Sequence, residues 1–196
     1  MPKLFGRYVL CLVDGYNINE TSSWSKHKEI EMGNGVISIF VSGVIACLAM
    51  DVWQQILKRM TGIPATNWAM VGRWFVLTLK RGTMYHPTID NEPSAANELL
   101  LGWIVHYCVS IIYAIIYLVL MIDRVIEPTL ADGILFGAFS VVVPWFYFMP
   151  CMGKGVMGKL TPNPKKACLI SLSSHLVFGI AMAVGFMLAP QAALIL

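Results

Sequence analysis

The chain has 196 residues, 57% hydrophobic and 13% charged, with a net charge of +3 and a mean hydropathy of +0.68. Soluble domains carry roughly 25% charged residues, so composition excludes that class, and the scattered basic residues form no run that would make a nucleic-acid-binding face. Five cysteines without a CxxC pair suggest neither a zinc site nor a disulfide framework, which leaves free thiols, mostly buried.

In chain order, residues 1–33 read as a polar, poorly structured leader. Lys3 and Arg7 precede an apolar run at 8–13, which is shorter than the ~7–15 residues of a signal-peptide core. Asn19-Glu20-Thr21 is a glycosylation sequon, meaningful only on a secretory route. Met32 directly precedes the first apolar stretch, and a start there would leave the leader out as an optional extension.

Residues 34–196 read as one membrane domain. Residues 99–122 and 133–153 contain no Asp, Glu, Lys or Arg, and neither does the chain after Lys166, where the one histidine is His175. Spanning the hydrocarbon needs ~20 apolar residues at ~1.5 Å rise. On that basis the sequence predicts transmembrane helices at 34–57, 97–121, 130–149 and 167–189. The fold class is therefore all-α, a polytopic bundle of four transmembrane helices. Within the long first loop, residues 67–79 place Trp68, Trp74 and Phe75 around Arg73. That composition predicts a short helix lying at the membrane–water interface, with the tryptophans as anchors. His86 reads as a turn residue.

Orientation follows from Lys and Arg in the loops. The first and third loops hold Lys58, Arg59, Arg73, Lys80, Arg81, Lys154, Lys159, Lys165 and Lys166. The other side holds Arg124 together with Lys3, Arg7, Lys26 and Lys28 of the leader. This bias places the long loops in the cytoplasm and both termini outside.

Three titratable residues fall at one depth. Asp51, His106 and His175 each lie about 7–9 residues inside their helices, or ~10–14 Å from the loop-bearing face. An ionisable group at such depth is costly unless paired and is a functional-site hypothesis by default. Residues three or four apart share a helix face, which gives a stripe of small and polar residues on every helix. The stripes are Gly43, Cys47, Asp51, Gln55 and Lys58; Gly102, His106, Ser110, Tyr113 and Tyr117; Gly133, Gly137, Ser140, Pro144 and Tyr147; and Ser171, His175, Gly179 and Met182. Small residues at this spacing let helices approach closely, so a bundle with the stripes inward is expected. Pro144 should free the Ser140 carbonyl near mid-membrane. The candidate binding layer is Asp51, His106 and His175, supported by Arg73, Gln55, Ser140 and Tyr147. Arg73 or a histidine is expected to pair with Asp51; the bland alternative is an Asp51 that merely caps or pairs near the interface.

A series of short motifs stands in order: Met50-Asp51-x-Trp53, Gly62-Ile63-Pro64-x-x-Asn67, Val71-Gly72-Arg73-Trp74, Gly102-Trp103-x-x-His106-Tyr107, Thr161-Pro162-Asn163-Pro164 and Leu172-x-x-His175-x-x-Phe178-Gly179. From 34 to the C-terminus the chain resembles a bacterial family of uncharacterised integral membrane proteins, the domain of unknown function numbered twenty-nine thirty-eight. It departs from that pattern at Met149, where Gln is expected before Pro150, and in the leader. The resemblance implies a four-helix protein of the bacterial inner membrane and supplies no catalytic residue.

Three functions stay open on the sequence. The first is permeation of a small solute, proton or cation through the Asp/His layer, with homo-oligomerisation as one way to complete a path. The second is a non-catalytic membrane subunit or scaffold. The third is a haem- or metal-binding protein or enzyme, with any metal unknown. No cofactor is expected, and the expected partners are the lipid bilayer and a small molecule or ion, not nucleic acid.

Overall fold

The computed structural model describes residues 18–189, with side chains from 35 onward. The expectations for residues 1–17, the side chain of the Asn19 sequon and the helix stop at Pro190 lie outside the described residues. These fold into five helices without a strand: α1 (Ile18–Thr61), α2 (Trp68–Arg81), α3 (Glu98–Ile122), α4 (Leu130–Cys151) and α5 (Pro164–Leu188). Four are long and apolar enough to cross a membrane, at Gly35–Thr61, Glu98–Ile122, Leu130–Cys151 and Pro164–Leu188. The chain is a multi-pass membrane protein. One boundary moves well beyond a turn: α1 begins at Ile18, so its backbone runs as helix through 18–33, where an unstructured leader is expected.

Local chemistry sets the other ends. Gly62, at φ 70°, closes α1 by donating its N–H to Lys58 O, a conformation open to residues without Cβ. Asn67 starts α2 by accepting from Met70 N at 3.2 Å, and Gly82 ends it in the left-handed region. Thr129 caps α4 through Asp132 N, while Asp132 accepts from Glu127 N and the Thr129 hydroxyl. Asn163 caps α5 ahead of Pro164 at its first position.

Helix α5 packs against both α1 and α4, α1 also packs against α3, and α3 carries α2 on its other side. Glycines set the closest crossings. Gly72 on α2 and Gly102 on α3 bring backbone to backbone, because a Cβ on Gly102 would sit 1.7 Å from Trp68 O. Gly133, Gly137 and Gly179 do the same between α4 and α5, and Gly185 rests on Ser42 of α1. The small-residue stripes therefore face inward. Ile37, Phe40, Leu48, Ile112, Leu135 and Phe139 point outward and exposed, the arrangement a hydrocarbon solvent favours.

Helices α3 and α4 are held apart by large rings instead. Phe136 meets Tyr113 and Tyr117 edge-on at 6.0 and 4.9 Å, and Tyr117 stacks on Phe186 of α5. These rings head a compact core with Ala46, Met50, Phe178 and Met182. Toward the loop-bearing end, the separation between α3 and α4 opens into a cavity.

Helix α4 is not regular. Pro144 has no N–H, and from Pro144 to Phe148 the chain widens into a π turn closed by Met149 N on Pro144 O. The Ser140 carbonyl released there accepts the Tyr113 hydroxyl at 3.1 Å, so protein covers the acceptor as expected.

Candidate functional site: a buried Cys–His–Asp cluster beside an internal cavity

Asp51 and His106 meet. His106 Nε2 lies 3.0 Å from Asp51 Oδ1, joining α1 to α3. Cys47, one turn before Asp51, brings its Sγ to 3.1 Å from the same nitrogen. Tyr107 donates to the other Asp51 oxygen at 3.5 Å. Trp68, at the start of α2, stacks on the imidazole with ring centroids 3.8 Å apart and 24° between planes. One turn on, Ser110 donates to Gly43 O at 2.6 Å and fixes the register of α1 against α3. Cys47 is fully buried, His106 nearly so, and the Asp51 side chain is 16% exposed.

His175 is placed otherwise. Its Nδ1 sits 2.7 Å from the Ser140 hydroxyl, which donates its own hydrogen to Gly137 O and is free to accept from the ring, so the histidine is tied to α4 and not to Asp51. It shares a chamber with His106. Both line a cavity of about 290 Å³ walled by α1, α2, α3, α4 and α5. Most of the wall is apolar, including Val105, Val109, Phe148 and Phe178, with Gln54, Ser171 and Ser174 among the polar groups. The Ser174 hydroxyl is buried there without a hydrogen-bond partner among the described residues.

The supporting residues divide. Ser140 belongs to the layer through His175. Arg73 does not pair with Asp51: it forms a bidentate pair with Glu98 at 2.9 Å and also holds Glu92 O and Ser94 Oγ. Glu98 opens α3 one loop away, so Arg73 fastens α2 to α3. Gln55 is exposed, and its neighbour Gln54 is the buried one, accepting Thr66 N at 2.9 Å. Steps of four residues advance 400°, so a stripe counted from Gly43 has drifted about 120° by Gln55, whereas Gln54 is only about 20° off. Tyr147 faces away, reaching the Met84 sulfur at 2.6 Å, because the π turn rotates everything after Pro144 out of the α4 stripe.

Sequence reasoning misses two contributors to the cluster. Cys47 stands in the right stripe, and its C-x-x-x-D spacing with Asp51 is the available signal, but on the sequence it ranks only among the buried free thiols. Trp68 and Trp74 are expected as interface anchors; Trp68 instead covers His106, and Trp74 is buried and donates to Met84 O at 2.8 Å. His86 is a turn residue as expected and also buried; its N–H donates to Cys151 O at 2.7 Å, clasping the first loop to the end of α4.

A search of curated proteins and one of solved structures each find no match. A family model described as "Protein of unknown function (DUF2938)" matches residues 39–189, which include the cluster, the cavity wall and all four spanning helices except the first residues of Gly35–Thr61. This multi-pass helical membrane protein therefore belongs to the DUF2938 family.

Proposed function

We propose that the chain binds and passes a small, mainly apolar solute through its half-open cavity in a bacterial inner membrane, with the Asp51–His106 pair handling a proton or cation beside it. The observation that carries this reading is the cavity of about 290 Å³ with a buried, unpartnered Ser174 hydroxyl on its wall. Small-molecule sites are concave and apolar with a few placed polar groups, and an unsatisfied buried hydroxyl costs about 1–3 kcal/mol unless something bonds it. The bias of basic residues supports cytoplasmic long loops and external termini.

The test is permeation into proteoliposomes of a panel of small neutral and weakly acidic solutes, followed by vesicle swelling. The wild type should accelerate at least one solute, and Ser174→Phe, which fills the cavity, should abolish that acceleration while the protein still folds. If no solute is accelerated, the permeation reading fails.

A further inference from the structure

The geometry points to a second kind of site: we propose that Cys47, Asp51 and His106 bind one divalent transition-metal ion of the zinc class. The cavity reading is not needed for this, since the three ligands would hold an ion whether or not a solute enters.

The first argument is convergence. Cys47 Sγ and Asp51 Oδ1 both close on one ring nitrogen, at 3.1 and 3.0 Å. Thiolate sulfur, imidazole nitrogen and carboxylate oxygen are each ligands of this metal class, and here all three meet at one point.

The second argument is size. The thiol sulfur, an imidazole nitrogen and a carboxylate oxygen all lie within 4.8 Å of one another. Tetrahedral zinc, with bonds of ~2.0–2.3 Å, separates its ligand atoms by about 3.3–3.6 Å. Seating an ion therefore requires opening the two short contacts by a few tenths of an ångström, which rotation about the side-chain bonds supplies.

The third argument is charge. A divalent ion with one thiolate, one carboxylate and one neutral imidazole makes a neutral unit, and a membrane interior penalises any net charge. A monovalent ion on the same ligands would leave a negative site. Thiolate and imidazole together favour a borderline-to-soft metal over magnesium or calcium, which prefer all-oxygen shells.

The supports are those of a built site. Cys47 and Asp51 stand on one face of α1 at i and i+4, and His106 comes from α3, so the ligands sit on helices and not on loops. Tyr107 orients the second Asp51 oxygen, and Trp68 packs on the imidazole face. Three protein ligands leave a fourth position for water or another small ligand. The His106 ring also lines the cavity.

The test uses the full chain in detergent, stripped with chelator and titrated with cobalt(II), which reports thiolate ligation by a near-ultraviolet charge-transfer band. We expect one cobalt per chain, a thiolate band, and loss of that band on adding zinc. Cys47→Ser should remove the band and Cys108→Ser should keep it, while Asp51→Asn should weaken binding on the order of tenfold or more. If Cys47→Ser does not fold, as judged by its helical circular dichroism, His106→Gln must show the same loss. A wild-type protein without a thiolate band, or a band that survives in folded Cys47→Ser, overturns the proposal. Solute permeation that fails in a protein with an intact cobalt band would sink the cavity reading alone.

Discussion

Tyr113 shows how one hydroxyl can decide whether an irregular helix is tolerated inside a bilayer. Pro144 takes away the donor that the Ser140 carbonyl would otherwise have, and Tyr113 supplies another at 3.1 Å. Leaving a buried acceptor unmade costs about 1–3 kcal/mol. Tyr113→Phe should therefore lower unfolding stability in detergent by that amount, whereas Tyr85→Phe, at an exposed ring, should leave it within experimental error. Equal stability of the two variants would mean that Ser140 O finds another donor. At this scale the sequence was half legible. A proline frees the carbonyl four residues before it, which is readable, but the partner that satisfies it sits on a different helix, which is not.

Among the elements, the α2–α3 contact is the one on which the site most depends, because α2 brings Trp68 onto His106. The two helices touch through bare backbone at Gly72 and Gly102, where a Cβ would lie 1.8 Å from Glu98 O and 1.7 Å from Trp68 O respectively. No side-chain movement relieves a clash with backbone. Gly102→Ala is therefore expected to push α2 off α3 and cost about 3 kcal/mol, the upper end for overpacking. Gly35→Ala, with nothing within 4 Å among the described residues, is the matched control. Tryptophan fluorescence should report the displaced Trp68 in Gly102→Ala alone; an unchanged spectrum would refute the tight crossing. The loop after α2 is tied electrostatically. The Arg81 guanidinium, bidentate to Glu92 at 2.8 Å, holds that carboxyl below its ordinary 4.5. A depressed carboxylate pKa stabilises the folded loop above 4.5 and loses that contribution as pH falls through the lower folded value. Amide protection factors in residues 82–97, taken relative to the intrinsic exchange rate at each pH, should accordingly fall on acidification below 4.5. Glu92→Gln should reduce this acid dependence, and the effect is small because the pair is exposed.

For the whole molecule, two loops far apart in sequence meet at one end. His86 N bonds Cys151 O, Lys154 pairs with Asp90 at 2.5 Å, and Gly153 packs on Pro87. An even number of crossings separates them, so they share a side whichever way the protein inserts. On the orientation proposed above, that side is the cytoplasm. A reporter active only outside the cytoplasm should accordingly work when fused after α5 and stay silent when inserted in residues 82–97; the reverse pattern would invert the topology.

By itself the sequence determined that this is a helical membrane protein and where its four apolar spans lie within a few residues. Those properties depend on composition and on rise per residue, which are additive along the chain. It could not decide which residues of the layer touch. Azimuth accumulates error: counting by fours drifts about 40° per step, enough to select Gln55 over Gln54, and the π turn after Pro144 breaks the count and turns Tyr147 away. Partner choice also depends on which helices adjoin. The tertiary structure alone sends Arg73 to Glu98, His175 to Ser140 and Cys47 to His106, because glycine-to-backbone crossings set those neighbours and leave the space beside them open.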